Sequence, residues 1–153
     1  MKPVIYIIFK YTLILFITLF AQWWAIELSE YVPQYIPETR INISGMVIFA
    51  ATLSILIFGQ KEIFRRYPQF SIIKLTALGL SICAIAELDF MLFSRYVMKD
   101  FDIYNLLEVF FKMMVFDGGL AFLVAFKIVR PKSDQFWLLI IAFLGLVYLL
   151  TII

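Results

Sequence analysis

Three stretches of this chain run without a single charged side chain: Tyr11 to Ile26, Ile41 to Gln60 and Phe136 to Ile153. A helix rising about 1.5 Å per residue needs roughly 20 mostly apolar residues to cross the hydrocarbon core of a bilayer. Two further runs are apolar but carry charges. One is Leu75 to Ala86, continuing through Glu87 and Asp89 to Val97; the other is Leu106 to Phe126, which contains Glu108, Lys112 and Asp117. Packing all five runs into a water-soluble core is excluded by composition, because 64% of the 153 residues are hydrophobic and only 16% are charged. A soluble domain of about this length carries roughly 25% charged residues and buries only about two thirds of its unfolded surface. The predicted fold is therefore all-α, a polytopic integral membrane helical bundle forming one embedded unit. Its spans are expected near 4–26, 41–60, 72–97, 104–128 and 136–153. Four spans are the alternative, if the third or fourth run lies differently.

The first run is read as a retained helix. Its apolar part is too long for a secretory signal, and no small-residue cleavage site follows Trp23-Trp24. Exposed loops are expected at Tyr31 to Pro37, at Arg65-Arg66-Tyr67-Pro68 and at Arg130-Pro131-Lys132, since proline ends helices and disfavours helical geometry just before it. Orientation follows from the basic residues. Lys2, Lys10, Lys61, Arg65, Arg66, Lys74, Lys127, Arg130 and Lys132 fall on the N-terminal side, against Arg40, Arg95 and Lys99 opposite, with Lys112 inside a span. Cytoplasmic loops are enriched in Lys and Arg, so the N-terminus is expected inside. The aromatic residues agree: Trp23, Trp24, Tyr96, Tyr104 and Tyr148 cluster at predicted outer ends, and Tyr11, Tyr67 and Trp137 at inner ones. The expected location is a cell membrane, the cytoplasmic (inner) membrane if the source is bacterial.

Several chemistries are excluded outright. With no histidine and one cysteine, Cys83, the chain has neither the ligands of a structural zinc site or histidine-ligated haem nor an intrachain disulfide. A Ser-His-Asp or Cys-His unit is likewise impossible. A net charge of +2 is too balanced for a nucleic-acid binder. No metal, no cofactor and no nucleic-acid partner are expected; the expected surroundings are the lipid bilayer.

The informative residues are the charges inside the third and fourth runs: Glu87, Asp89, Lys112 and Asp117. A charge at the bilayer centre costs at least about 2.5–3.5 kcal/mol on insertion scales, so such groups face protein or water. Folding the two runs into an antiparallel hairpin turning near Asp100 and Phe101 brings all four to similar depth. One reading is structural, with Lys112 neutralising one carboxylate and the cluster locking helix packing, while Glu108, one turn before Lys112, offers it an i,i+4 partner. The other is a cation or proton site, since the carboxylates outnumber the one ammonium. Thr76, Gly79 and Cys83 continue the face of Glu87, and Gly118, Ala121 and Ala125 accompany Asp117; small residues at this spacing let membrane helices approach closely. Gly118-Gly119 is read either as part of that close packing or as a local break whose freed carbonyls help hold a cation. Asp89 and Asp117 also lie on neighbouring helices, as in intramembrane aspartyl peptidases. Phe116-Asp117-Gly118-Gly119 is not, however, the Gly-x-Gly-Asp of presenilin-like proteases.

The basic segment Lys61, Arg65 and Arg66, with Lys74 beyond it, is expected to form a cytoplasmic loop that sets topology and meets anionic headgroups, or else docks an acidic cytosolic partner. Small residues also recur on other spans, at Gly45, Ala50 and Ser54 and at Ala142 and Gly145. The leading expectation is a non-enzymatic membrane subunit acting as a homo-oligomer or within a membrane complex, with any pore lying between copies. An ion- or proton-coupled carrier or channel using the intramembrane carboxylates is the second expectation, and an intramembrane aspartyl hydrolase the third.

Overall fold

Proline and the residues around it divide the chain. In the computed structural model, which describes residues 2–30, 37–93, 95 and 103–152, five helices follow one another. They are α1 (Lys2–Glu30), α2 (Pro37–Arg66), α3 (Ile72–Phe93), α4 (Ile103–Val129) and α5 (Gln135–Ile152). Pro37 opens α2, a position where its missing N–H is no loss because that donor has no partner within the helix. The remainder of the loop expected there, residues 31–36, lies outside the described residues, as does the turn expected near Asp100 and Phe101.

One expectation is corrected at the far end of α2. Lys61, Arg65 and Arg66 do not form a loop; they occupy the last turns of the helix, and Lys74 sits in the first turn of α3. Nothing in Lys61-Glu62-Ile63-Phe64-Arg65-Arg66 opposes helix, and the chain leaves it only as Pro68 approaches. The Tyr67 N–H still donates to the Ile63 carbonyl at 2.9 Å. The turn that follows is tight: Phe70 N–H donates to the Tyr67 carbonyl at 3.1 Å, and the two rings stack 5.1 Å apart. Ser71 then caps α3, its hydroxyl accepting from Lys74 N–H at 3.3 Å.

Helix α3 lies at the centre, packed against α1, α2 and α4, whereas α5 packs, among the described residues, against α4. Adjacent helices run antiparallel. The start of α1 meets the end of α2 at Lys10 and Glu62, and the start of α5 meets the end of α4, where Lys127 lies over the Phe136 ring. The main core joins Leu15 and Leu19 of α1, Leu56 of α2, Ile82, Cys83 and Ala86 of α3, and Leu120 and Ala121 of α4. A second cluster of Ile7, Ile63, Leu75 and Ala125 closes the end bearing the basic residues.

Among the described residues three segments are long and apolar enough to cross a membrane: Pro3–Gln22 in α1, Ile72–Phe93, and Leu107–Val129 in α4. The apolar stretch Gln135–Leu149 of α5 is shorter. Large apolar side chains such as Phe9, Phe58, Ile73, Phe111, Leu138 and Ile141 stand exposed around the outside, the reverse of what a water-soluble surface presents in quantity.

Candidate functional site: a buried carboxyl pair

Glu87 and Asp117 come together between α3 and α4, with 6% and 3% of their surfaces exposed. The two carboxyl groups lie close enough to interact across the α3–α4 contact, and the buried Cys83 thiol stands one turn before Glu87. A carboxylate only accepts hydrogen bonds, so a bond between two carboxyl groups requires a proton on one of them. Glu87 Oε2 and Asp117 Oδ2 are buried without any partner. Each buried, unsatisfied polar atom of this kind costs about 1–3 kcal/mol, a cost that apolar residues at these positions would not carry. By helix rise, Asp117 lies about 18 Å from the Val129 end of α4.

The other two members of the expected cluster lie elsewhere. Lys112 Nζ pairs with Glu108 at 2.8 Å on the outward side of α4, and Asp89 is exposed. The reason is rotation: at about 100° per residue, Lys112 and Asp117 lie some 140° apart around their helix, and Glu87 and Asp89 about 160°. Equal depth does not make a common face. With Asp89 turned outward, the two aspartates that an aspartyl peptidase needs do not face each other. Asp117 meets Glu87 instead.

Of the small residues expected on the packing face, Gly79, Cys83, Ala121 and Ala125 are buried, and Thr76 and Gly118 are half-buried. The Thr76 hydroxyl turns back onto its own helix, donating to the Ile72 carbonyl at 2.9 Å. The two closest approaches are at Gly79 and Gly119. A Cβ on Gly79 would collide with the Gln60 amide, and one on Gly119 would lie 2.5 Å from the Phe143 ring. Helix α4 runs without interruption through Gly118-Gly119, so the pair forms no break. Its chief role is to admit the Phe143 ring from α5.

Two polar groups that the sequence did not single out complete the picture. Gln60 is fully buried and bridges three helices, its Nε2 donating to the Leu75 carbonyl at 3.3 Å and the Ala121 carbonyl at 3.0 Å. Glu62 faces α1, where it accepts from Lys10 Nζ and the Tyr11 hydroxyl at 3.0 Å each and from Arg66 at 3.2 Å. The Lys10 hydrogen bond, reinforced by Tyr11 and Arg66, holds the Glu62 carboxyl below the usual glutamate range. Lys10, the one charge interrupting the first apolar run, was the available signal for this clamp. Gln60 gave none, sitting at the end of an uncharged run.

Of the aromatic residues expected at span ends, Tyr96 and the side chains of Trp23 and Tyr104 lie outside the described residues; Trp24, Trp137 and Tyr148 are exposed. Comparison with known protein families, with curated proteins and with solved structures finds no match to this chain.

Proposed function

We propose that this chain is a non-enzymatic, multi-pass membrane protein that takes up and releases a proton at the Glu87–Asp117 pair, acting as a small proton-coupled carrier or channel. The five helices are taken as five crossings with the basic end, Lys61 to Lys74 and Lys127 to Lys132, on the cytoplasmic side. The observation that carries the reading is the pairing of two buried carboxyl groups with no Lys or Arg partner among the described residues. Ionisable groups at membrane depth are expensive, and they characteristically mark ion paths and proton relays. A proton fits better than a metal ion, because among the described residues no group of three or more His, Cys, Asp or Glu side chains is placed to hold a metal ion.

The experiment is proton flux into proteoliposomes loaded with a pH dye, under an imposed pH gradient. Glu87→Gln and Asp117→Asn should each abolish flux, while Asp89→Asn and Lys112→Met leave it intact. Undiminished flux in both amide variants, or no flux in the wild type with either gradient direction, would overturn the reading.

A second reading, a subunit of a homo-oligomer or membrane complex, is favoured by α5. Among the described residues this helix leans only on α4 and leaves Ala142 and Gly145 exposed, with nothing within 4 Å of a Cβ built on Gly145. Outward small residues of this kind let a further helix approach. The two readings are compatible, since a bundle this narrow offers little room for an aqueous route except beside another chain.

A further inference from the structure

Helices α2 and α5 both flank α4 with no close backbone approach to each other among the described residues, and between them lies a groove of about 560 Å³. One wall is built from a single α2 stripe at intervals of four residues, Leu53, Ile57, Lys61 and Arg65, which places all four on one face. That stripe is about 18 Å long by helix rise and changes character along its length, from apolar within the bundle to doubly cationic at the basic end. The floor repeats the pattern on α4, where Leu123 and Val124 lead to Lys127. Lys127 Nζ is held at the mouth by the Pro131 carbonyl at 2.9 Å and lies 4.8 Å from the Phe136 ring centroid, with ammonium hydrogens left to donate.

The three cations have no carboxylate partner among the described residues. Glu62, next to Lys61 in sequence, is turned toward α1 and taken by Lys10 and Arg66. Asp134 lines an adjoining hollow that shares Lys127, Pro131 and Phe136 with the groove, but it forms no ion pair with Lys127 among the described residues. Three unpaired cations capping an apolar trough form the complement of one molecule type, an anionic head on a hydrocarbon chain. Basic pockets between membrane helices on the cytoplasmic side are suited to such headgroups.

We infer that the α2–α4–α5 groove is a specific binding site for an anionic phospholipid. Its phosphate is held by Lys61, Arg65 and Lys127, and one acyl chain lies along Ile57, Leu53 and Leu123. The site is independent of the carboxyl pair, which lies between α3 and α4, so either can fail without the other.

The test is thermal melting of delipidated protein in neutral detergent on adding phosphatidylglycerol, phosphatidylcholine with the same chains, or soluble glycerol 3-phosphate. Phosphatidylglycerol should raise the melting temperature by about 5 °C at saturation, and the other two by far less. The triple variant K61Q/R65Q/K127Q should lose the difference between the two lipids, and Ile57→Trp, which fills the trough and keeps every charge, should reduce it. Lys74→Gln, outside the groove, should retain it. Equal shifts from the two lipids, an equal shift from glycerol 3-phosphate, or a wild-type response in the triple variant would overturn the site. Should the triple variant fail to fold, the wild-type lipid comparison and Ile57→Trp still decide. Ile57→Cys provides a further check, because the chain's single native cysteine is buried. A disulfide-linked dimer formed through position 57 would mean that a second copy fills the groove and would refute the lipid assignment.

Discussion

At Glu87 the choice between a carboxyl, an amide and a methyl-ended side chain separates packing from chemistry. Glu87→Leu leaves Asp117 buried without the carboxyl it faces on α3, and should destabilise the protein by about 1–3 kcal/mol. Glu87→Gln keeps the shape and supplies an N–H donor to Asp117, so its melting temperature in mild detergent should stay near that of the wild type even though the exchangeable proton is gone. Similar melting for both variants would mean that the two carboxyls do not depend on each other. Lys112→Met should leave melting unchanged, because that ammonium pairs with Glu108 on the outer face and not with the buried pair. A large loss, growing as pH rises, would instead place Lys112 among the carboxylates.

Between elements, the α1–α2 contact has its own pH dependence. Hydrogen bonds from Lys10 and Tyr11 to Glu62 join the start of α1 to the end of α2, and the folded carboxyl is held below its ordinary value of about 4.3. A depressed carboxyl pKa contributes stability that is complete above the unfolded value and is lost as pH falls through the folded one. Melting temperature should therefore drop in the acid range beneath pH ~4.3, and Glu62→Gln should flatten that part of the profile while lowering stability at neutral pH. An acid limb identical in the variant would assign the loss to other groups. The α4–α5 contact depends on shape instead. Gly119 admits the Phe143 ring, and among the described residues α5 has no other helix to hold it.

For the whole molecule the open quantity is the number of crossings. Reporter fusions after Gln69 and after Lys132 should both read cytoplasmic, and one after Ile153 external. A reporter at Ile153 on the same side as the other two would remove the fifth crossing, whose apolar stretch Gln135–Leu149 is shorter than those of α1, α3 and α4. Mass measurement in lipid then tests assembly. A stable monomer with no co-purifying chain would count against the exposed α5 face as an interface.

The all-α character and the five helices were legible in the sequence, because apolar run length and proline act locally and each exerts its effect within a few residues. Glu87 and Asp117 were also legible as costly positions, since burying charge in an apolar run carries a penalty whatever the fold. Which charges met was not legible. Depth along a helix can be counted from a sequence, but the face a side chain presents depends on which neighbour lies there and at what rotation. The sequence therefore grouped four residues of similar depth, and packing separated Lys112 and Asp89 from the pair. Gln60 and the α2–α4–α5 groove were invisible for the same reason. Each exists only where three helices converge, and only tertiary structure decides which three.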